Sequence, residues 1–108
     1  MAQMARLGRE RLPNRRPALT STAEWNGRPL AVTIGFSDDL RALEVFTHDL
    51  HKADSERDRL AADIGVLLSR LLQHGDSLPA IARGLGRLPD GAPSSIVGAI
   101  ADAALGLA

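Results

Sequence analysis

From residue 30 to residue 36 large apolar side chains alternate with small ones. Leu30, Val32, Ile34 and Phe36 are separated by Ala31, Thr33 and Gly35. A period of two marks a half-buried strand, so a strand is predicted over 30–36 with its four large residues facing a core. Before it stands Asn26-Gly27, a pair that tolerates the positive φ of a type I′ hairpin turn. The segment 18–25, with Thr20, Ser21 and Thr22, suits an extended and partly exposed backbone. It is the first arm of that hairpin. Ser37-Asp38-Asp39 supplies a second turn. A third strand, 42–47, is short and rich in β-branched and aromatic residues.

Beyond His51-Lys52 the period lengthens. Leu60, Ile64, Leu67, Leu68 and Leu71 recur at helical spacing. The pattern predicts a helix over 55–74 that presses Leu60, Ile64, Leu67 and Leu71 against the second strand. Asp54 or Ser55 caps its start, and Ser55 with Asp58 makes a shortened capping box. Gly75 follows as a left-handed residue after the helix. A second helix is predicted over 78–85, capped by Ser77, with Pro79 in its first turn and Leu78, Ile81, Ala82 and Leu85 inward. Residues 86–93 form a Gly- and Pro-rich loop. A third helix over 95–105 starts after Ser94 or Ser95 and buries Val97, Ile100, Ala101 and Ala104. Gly98 and Gly106 weaken it.

Three strands followed by helices predict an α+β fold. It is a three-stranded antiparallel meander with two or three helices packed on one face. The chain of 108 residues is long enough for one domain, which is placed over 18–108. Residues 1–17 read as a basic, irregular arm, because Pro13 and Pro17 disfavour a continuous helix. Arg6, Arg9, Arg11, Arg15 and Arg16 against Glu10 give the first sixteen residues a charge of +4, so the remainder carries −4. The absence of cysteine removes disulfides, thiolate nucleophiles and Cys-based zinc sites. No apolar run approaches the ~20 residues of a membrane helix, and the start has no apolar signal core. A cytoplasmic location is the expectation.

Candidate chemistry gathers where the third strand meets the first helix. His48, Asp49, His51 and Asp54 could be read as a metal or acid–base site. A closed metal site needs three or four converging ligands. A polar connection whose side chains serve backbone groups explains the cluster as well. His51 and Lys52, just before the helix, could instead hold an anion on the free N–H groups and helix dipole. Arg15 and Arg16 would complete a basic pocket, yet they precede the first strand while His51 and Lys52 follow the third. In a meander those two points lie at opposite ends of the sheet, about 20–25 Å apart. The pocket closes only if the arm folds back along the sheet or a second chain's arm reaches across a dimer. Asp38-Asp39 reads as a turn former, and Asp63 as a solvent position on the helix flank. Ser21, Ser69 and Ser77 have no evident base and acid partners for nucleophilic work. No catalytic residue, metal or cofactor is assigned, and the chain is read as not an enzyme.

Three pieces together carry a resemblance. They are the run from Glu10 to Arg16 (ERLPNRR), Glu44-Val45-Phe46 followed by His51-Lys52, and Leu72-Gln73-His74-Gly75 followed by Ser77-Leu78-Pro79. In that order and spacing the chain resembles the TSCPD domain of adenosylcobalamin-dependent ribonucleotide reductases, also found as small free-standing bacterial and phage proteins. The family's signatures run roughly RLPNRR, GEIFIxxHK and LQYGVPLE, and the likeness covers about residues 9–105. The family's Ser-Cys-Pro-Asp run is replaced here by Ala92-Pro93-Ser94-Ser95-Ile96-Val97. Roles that need those thiols therefore do not carry over, and neither does reductase activity.

The resemblance implies a non-catalytic accessory or interaction domain that binds a partner protein or a phosphate-bearing ligand such as a nucleotide. The alternatives are a small nucleic-acid-binding protein using the Arg-rich arm and a nucleotide-sensing regulatory module. A sheet with one helical layer leaves an edge or face open, so a two-fold homodimer is expected. No membrane partner is expected.

Overall fold

The computed structural model describes residues 18–108. Strands β1 (Ala18–Trp25), β2 (Arg28–Phe36) and β3 (Ala42–Asp49) are followed by helices α1 (Glu56–Gln73), α2 (Leu78–Gly84) and α3 (Ile96–Leu107). The sheet is antiparallel in the order β1-β2-β3. The α+β meander-and-helices architecture is therefore as the sequence predicts.

The hairpin turns on Asn26 and Gly27, both with positive φ, at 55° and 76°. Two residues of turn place Arg28 opposite Trp25, so β2 begins two residues earlier than the alternation alone suggests. Pro29 is tolerated there because the β3 ladder ends at the Leu30–Asp49 pair. Strand β3 is also longer than predicted, reaching Asp49. The polar His48-Asp49 pair reads as a turn in sequence, but the Asp49 N–H finds a carboxylate partner, that of Asp58, at 2.8 Å.

Leu30, Val32, Ile34 and Phe36 are all buried, with Val45 beside them. They meet Ala61, Ile64, Leu68 and Leu72 of α1, Leu78, and Ile100 and Ala104 of α3 in one cluster. The opposite face of the sheet carries Thr20 and Thr33, whose hydroxyls bond across the strands at 2.8 Å.

The buried face of α1 corrects the sequence expectation. Ile64 and Leu68 point inward as expected, whereas Leu60, Leu67 and Leu71 are 49 %, 62 % and 44 % exposed. The cause is how closely α1 lies on β3. A Cβ placed on Gly65 would stand 2.8 Å from the Val45 carbonyl oxygen. Only small residues fit that contact, so Ala61 and Gly65 face β3 and the larger leucines turn away.

The caps follow the predicted chemistry. Ser55, Ser77 and Ser95 accept from the N–H groups of Asp58, Ala80 and Gly98. After α1, Gly75 takes φ +100°. Its N–H bonds to the Leu72 carbonyl and that of Asp76 to Leu71, the paired bonds of a Schellman ending. Gly98 does more than weaken α3, because a Cβ there would meet the Pro93 Cβ at 2.9 Å. The loop between α2 and α3 is pinned by Arg87, which grips Asp102 with two bonds of 2.6 and 2.7 Å.

Candidate functional site

The β3–α1 junction is built around two carboxylates. Asp49 ends β3 with its side chain 1 % exposed. One oxygen accepts the His51 N–H at 3.0 Å, and the Ser55 hydroxyl approaches the other at 3.4 Å. The Arg57 guanidinium lies 3.6 Å away. The His51 N–H, against the cost of burial, holds the Asp49 carboxyl below its ordinary range, with Arg57 and Ser55 adding to it. Asp58, in the first turn of α1, reaches back to two backbone donors, Asp49 at 2.8 Å and Asp54 at 2.7 Å. Those two bonds lower its pKa as well. The shortened capping box is therefore half reciprocal. Ser55 caps Asp58, but the Asp58 carboxylate serves Asp49 and Asp54.

Arg57 completes the joint from the other side. It donates to the Trp25 carbonyl at 2.9 Å and the Arg28 carbonyl at 3.1 Å, tying α1 to the β1–β2 hairpin. The Leu50 N–H bonds to the Pro29 carbonyl at 3.1 Å. Asp54 takes φ 60°, a left-handed conformation that Asp accepts more readily than most residues.

His51 and Lys52 are exposed at this junction. Arg15 and Arg16 lie outside the described residues. The register puts Asp49 level with Leu30 and Ala23, near the hairpin, whereas Ala18 pairs with Gly35 at the far end. The structure thus brings His51 and Lys52 together, but β1 begins at the opposite end of the sheet. The anion reading also meets a chemical obstacle. The N–H groups of His51, Asp54 and Asp58 already face Asp49, Asp58 and Ser55 respectively, and Asp54 adds a further carboxylate to the loop. Among the described residues no group of three or more His, Asp or Glu is placed to hold a metal ion.

A second feature lies along α1 on the outer side of β3. The Ser69 hydroxyl accepts the Val45 N–H at 2.8 Å and approaches the Val45 carbonyl at 3.1 Å. Gln73 donates to the Leu43 carbonyl at 3.2 Å. With Asp58 on the Asp49 N–H, α1 therefore occupies the free edge of β3. Beside this seam a shallow groove is lined by Phe46, His48, Val66 and Arg70. These roles are not evident from hydrophobic periodicity. Asp58, Gly65, Ser69 and Gln73 are spaced by seven, four and four residues, the repeat of one helix face. That repeat of small and polar residues within a leucine-rich helix was the available signal.

No described helix is long and apolar enough to cross a membrane. Comparison with protein-family models, with curated proteins and with solved structures finds no match.

Proposed function

We propose that this chain is a non-catalytic accessory domain, of the kind it resembles beside adenosylcobalamin-dependent ribonucleotide reductases, and that it holds a partner protein on the exposed leucines of α1. The reading is supported by the stripe Leu60, Leu67 and Leu71, each between 44 % and 62 % exposed on a regular helix whose other apolar side is already buried. Leu60 lines a shallow hollow with Trp25 and Ile96, bordered by Glu56 and Arg57, so apolar side chains of the hairpin and of the start of α3 lie beside the stripe. Arg70 and His74 flank Leu67 and Leu71 at the other end. An exposed apolar strip with a charged and polar rim is what a protein interface presents. Complete burial of a leucine is worth about 1.5–3 kcal/mol, so three half-exposed ones leave a few kcal/mol for a partner to gain.

The β3–α1 junction has a structural part in this proposal. Its carboxylates spend their acceptor capacity on backbone donors and Arg57, which fixes the angle at which α1 presents its leucines. The test is affinity capture from extracts of the source cell with tagged wild type and a Leu67→Glu, Leu71→Glu variant. The wild type retains a partner, with a ribonucleotide reductase as the first expectation, and the variant loses it while keeping its helical circular dichroism. Retention of the same proteins by both would overturn the proposal.

A further inference from the structure

The two edges of the sheet are treated differently. Strand β3 has its outer edge filled by α1 through Asp58, Ser69 and Gln73. Among the described residues strand β1 is the other edge, and α3 packs over its face. Natural edge strands are usually blunted by a lysine, a proline, a bulge or short length. Strand β1, ALTSTAEW, has none of these. It runs for eight residues, contains no Lys, Arg or Pro, and pairs with β2 without a register shift.

We propose that the outer edge of β1 pairs with β1 of a second copy, antiparallel about a two-fold axis, to give a continuous six-stranded sheet. The sequence of the strand supports a second copy as the occupant. A two-fold axis perpendicular to the sheet keeps the helices of both copies on the same side. Residues opposite one another must then lie on the same face. The register centred on Thr22 satisfies this and uses the whole strand. Thr22 faces Thr22 of the second copy, and Thr20 faces Glu24. On the helix side Leu19, 48 % exposed, faces the partly buried Trp25. Each exposed Leu19 thus gains an aromatic neighbour, and the sole charge of the strand, Glu24, meets a threonine rather than its own copy. Aromatic–aliphatic and Thr pairs are favourable across strands, whereas like charges are not.

The same register places Ala18 of one copy beside the Asn26-Gly27 turn of the other. That is the end of the sheet bearing His51 and Lys52. The inference rests on the sheet edge and is independent of the leucine stripe on α1.

The test exploits the absence of cysteine. Paired strand residues have Cα atoms about 4.5–5.5 Å apart, within the about 4.4–6.8 Å a disulfide requires. Under mild oxidation Thr22→Cys should become mainly a disulfide-linked dimer. Glu24→Cys should remain at background, because the two Glu24 positions lie about 14 Å apart along the strands. Thr22→Lys, which sets two like charges face to face, should shift light scattering at high micromolar concentration from the mass of two chains to one, with unchanged circular dichroism. A one-chain mass for the wild type overturns the pairing. Equal cross-linking of the two cysteine variants overturns the register.

Discussion

Replacing Gly65 with alanine tests how α1 is seated. In a helix interior this change normally stabilises by up to about 1 kcal/mol, because glycine loses more backbone freedom on folding. Here the added methyl would stand 2.8 Å from the Val45 carbonyl oxygen and 3.3 Å from the Thr47 Cγ2. The nearest atom belongs to the backbone, so the helix must move off the strand. Overpacking of this kind costs about 1–3 kcal/mol. The movement also stretches the Ser69 contacts to the Val45 N–H and carbonyl, 2.8 and 3.1 Å long, each worth about 1 kcal/mol net. Set against the propensity gain, the expected outcome is a loss of about 1–3 kcal/mol. Gly106→Ala is the control, since among the described residues its Cβ would meet no atom within 4 Å beyond its own turn of helix. Urea denaturation of both variants checks the magnitude, and amide exchange at Val45 checks the mechanism, being faster only in Gly65→Ala. If Gly65→Ala is neutral or as stable as Gly106→Ala, α1 is not seated on the β3 backbone as described.

Three further outcomes are expected. Ile34→Ala, at a fully buried position, should cost about 2–5 kcal/mol in urea titration; a cost under about 0.5 kcal/mol would mean that the face is not buried. The Asp49 and Asp58 carboxyls are held below their ordinary pKa, so folding favours their charged forms. Their contribution is complete above the unfolded value of about 3.9 and is lost as pH falls through the lower folded values. The urea midpoint should drop in that acid window, and Asp49→Asn should flatten the drop; an unchanged acid slope in the variant would refute the assignment. Inorganic phosphate at millimolar concentration should leave the melting temperature of wild type and Lys52→Ala the same, because the carboxylates of Asp49 and Asp58 already take the His51 and Asp54 N–H groups beside Lys52 and repel a second anion. A rise confined to the wild type would restore the anion site.

Most of the fold was legible because it depends on local rules. The alternation from Leu30 to Phe36, the Asn26-Gly27 turn and the three serine caps each act within a few residues of sequence. The facing of α1 was not legible from periodicity. Leu60, Leu67 and Leu71 repeat as regularly as Ile64, Leu68 and Leu72, and hydrophobicity cannot choose between the stripes. The choice is steric and long-range, set by a glycine against a strand carbonyl twenty residues earlier. The junction was legible in part. Its Asp and His cluster is conspicuous, and a polar connection was one reading of it. That Asp58 would serve Asp49, and Arg57 the hairpin carbonyls, depends on contacts that only the folded chain creates.

We propose that the leucines of α1 form a docking surface and that the β3–α1 junction supports it. Hydrogen exchange of the wild type with and without its captured partner tests this most directly. The claim predicts that added protection concentrates in peptides covering Leu60 to His74, with the Asp49 and Asp54 amides unchanged from their slow exchange in the free chain. Protection centred on His48 to Lys52, with the α1 peptides unaffected, would contradict it.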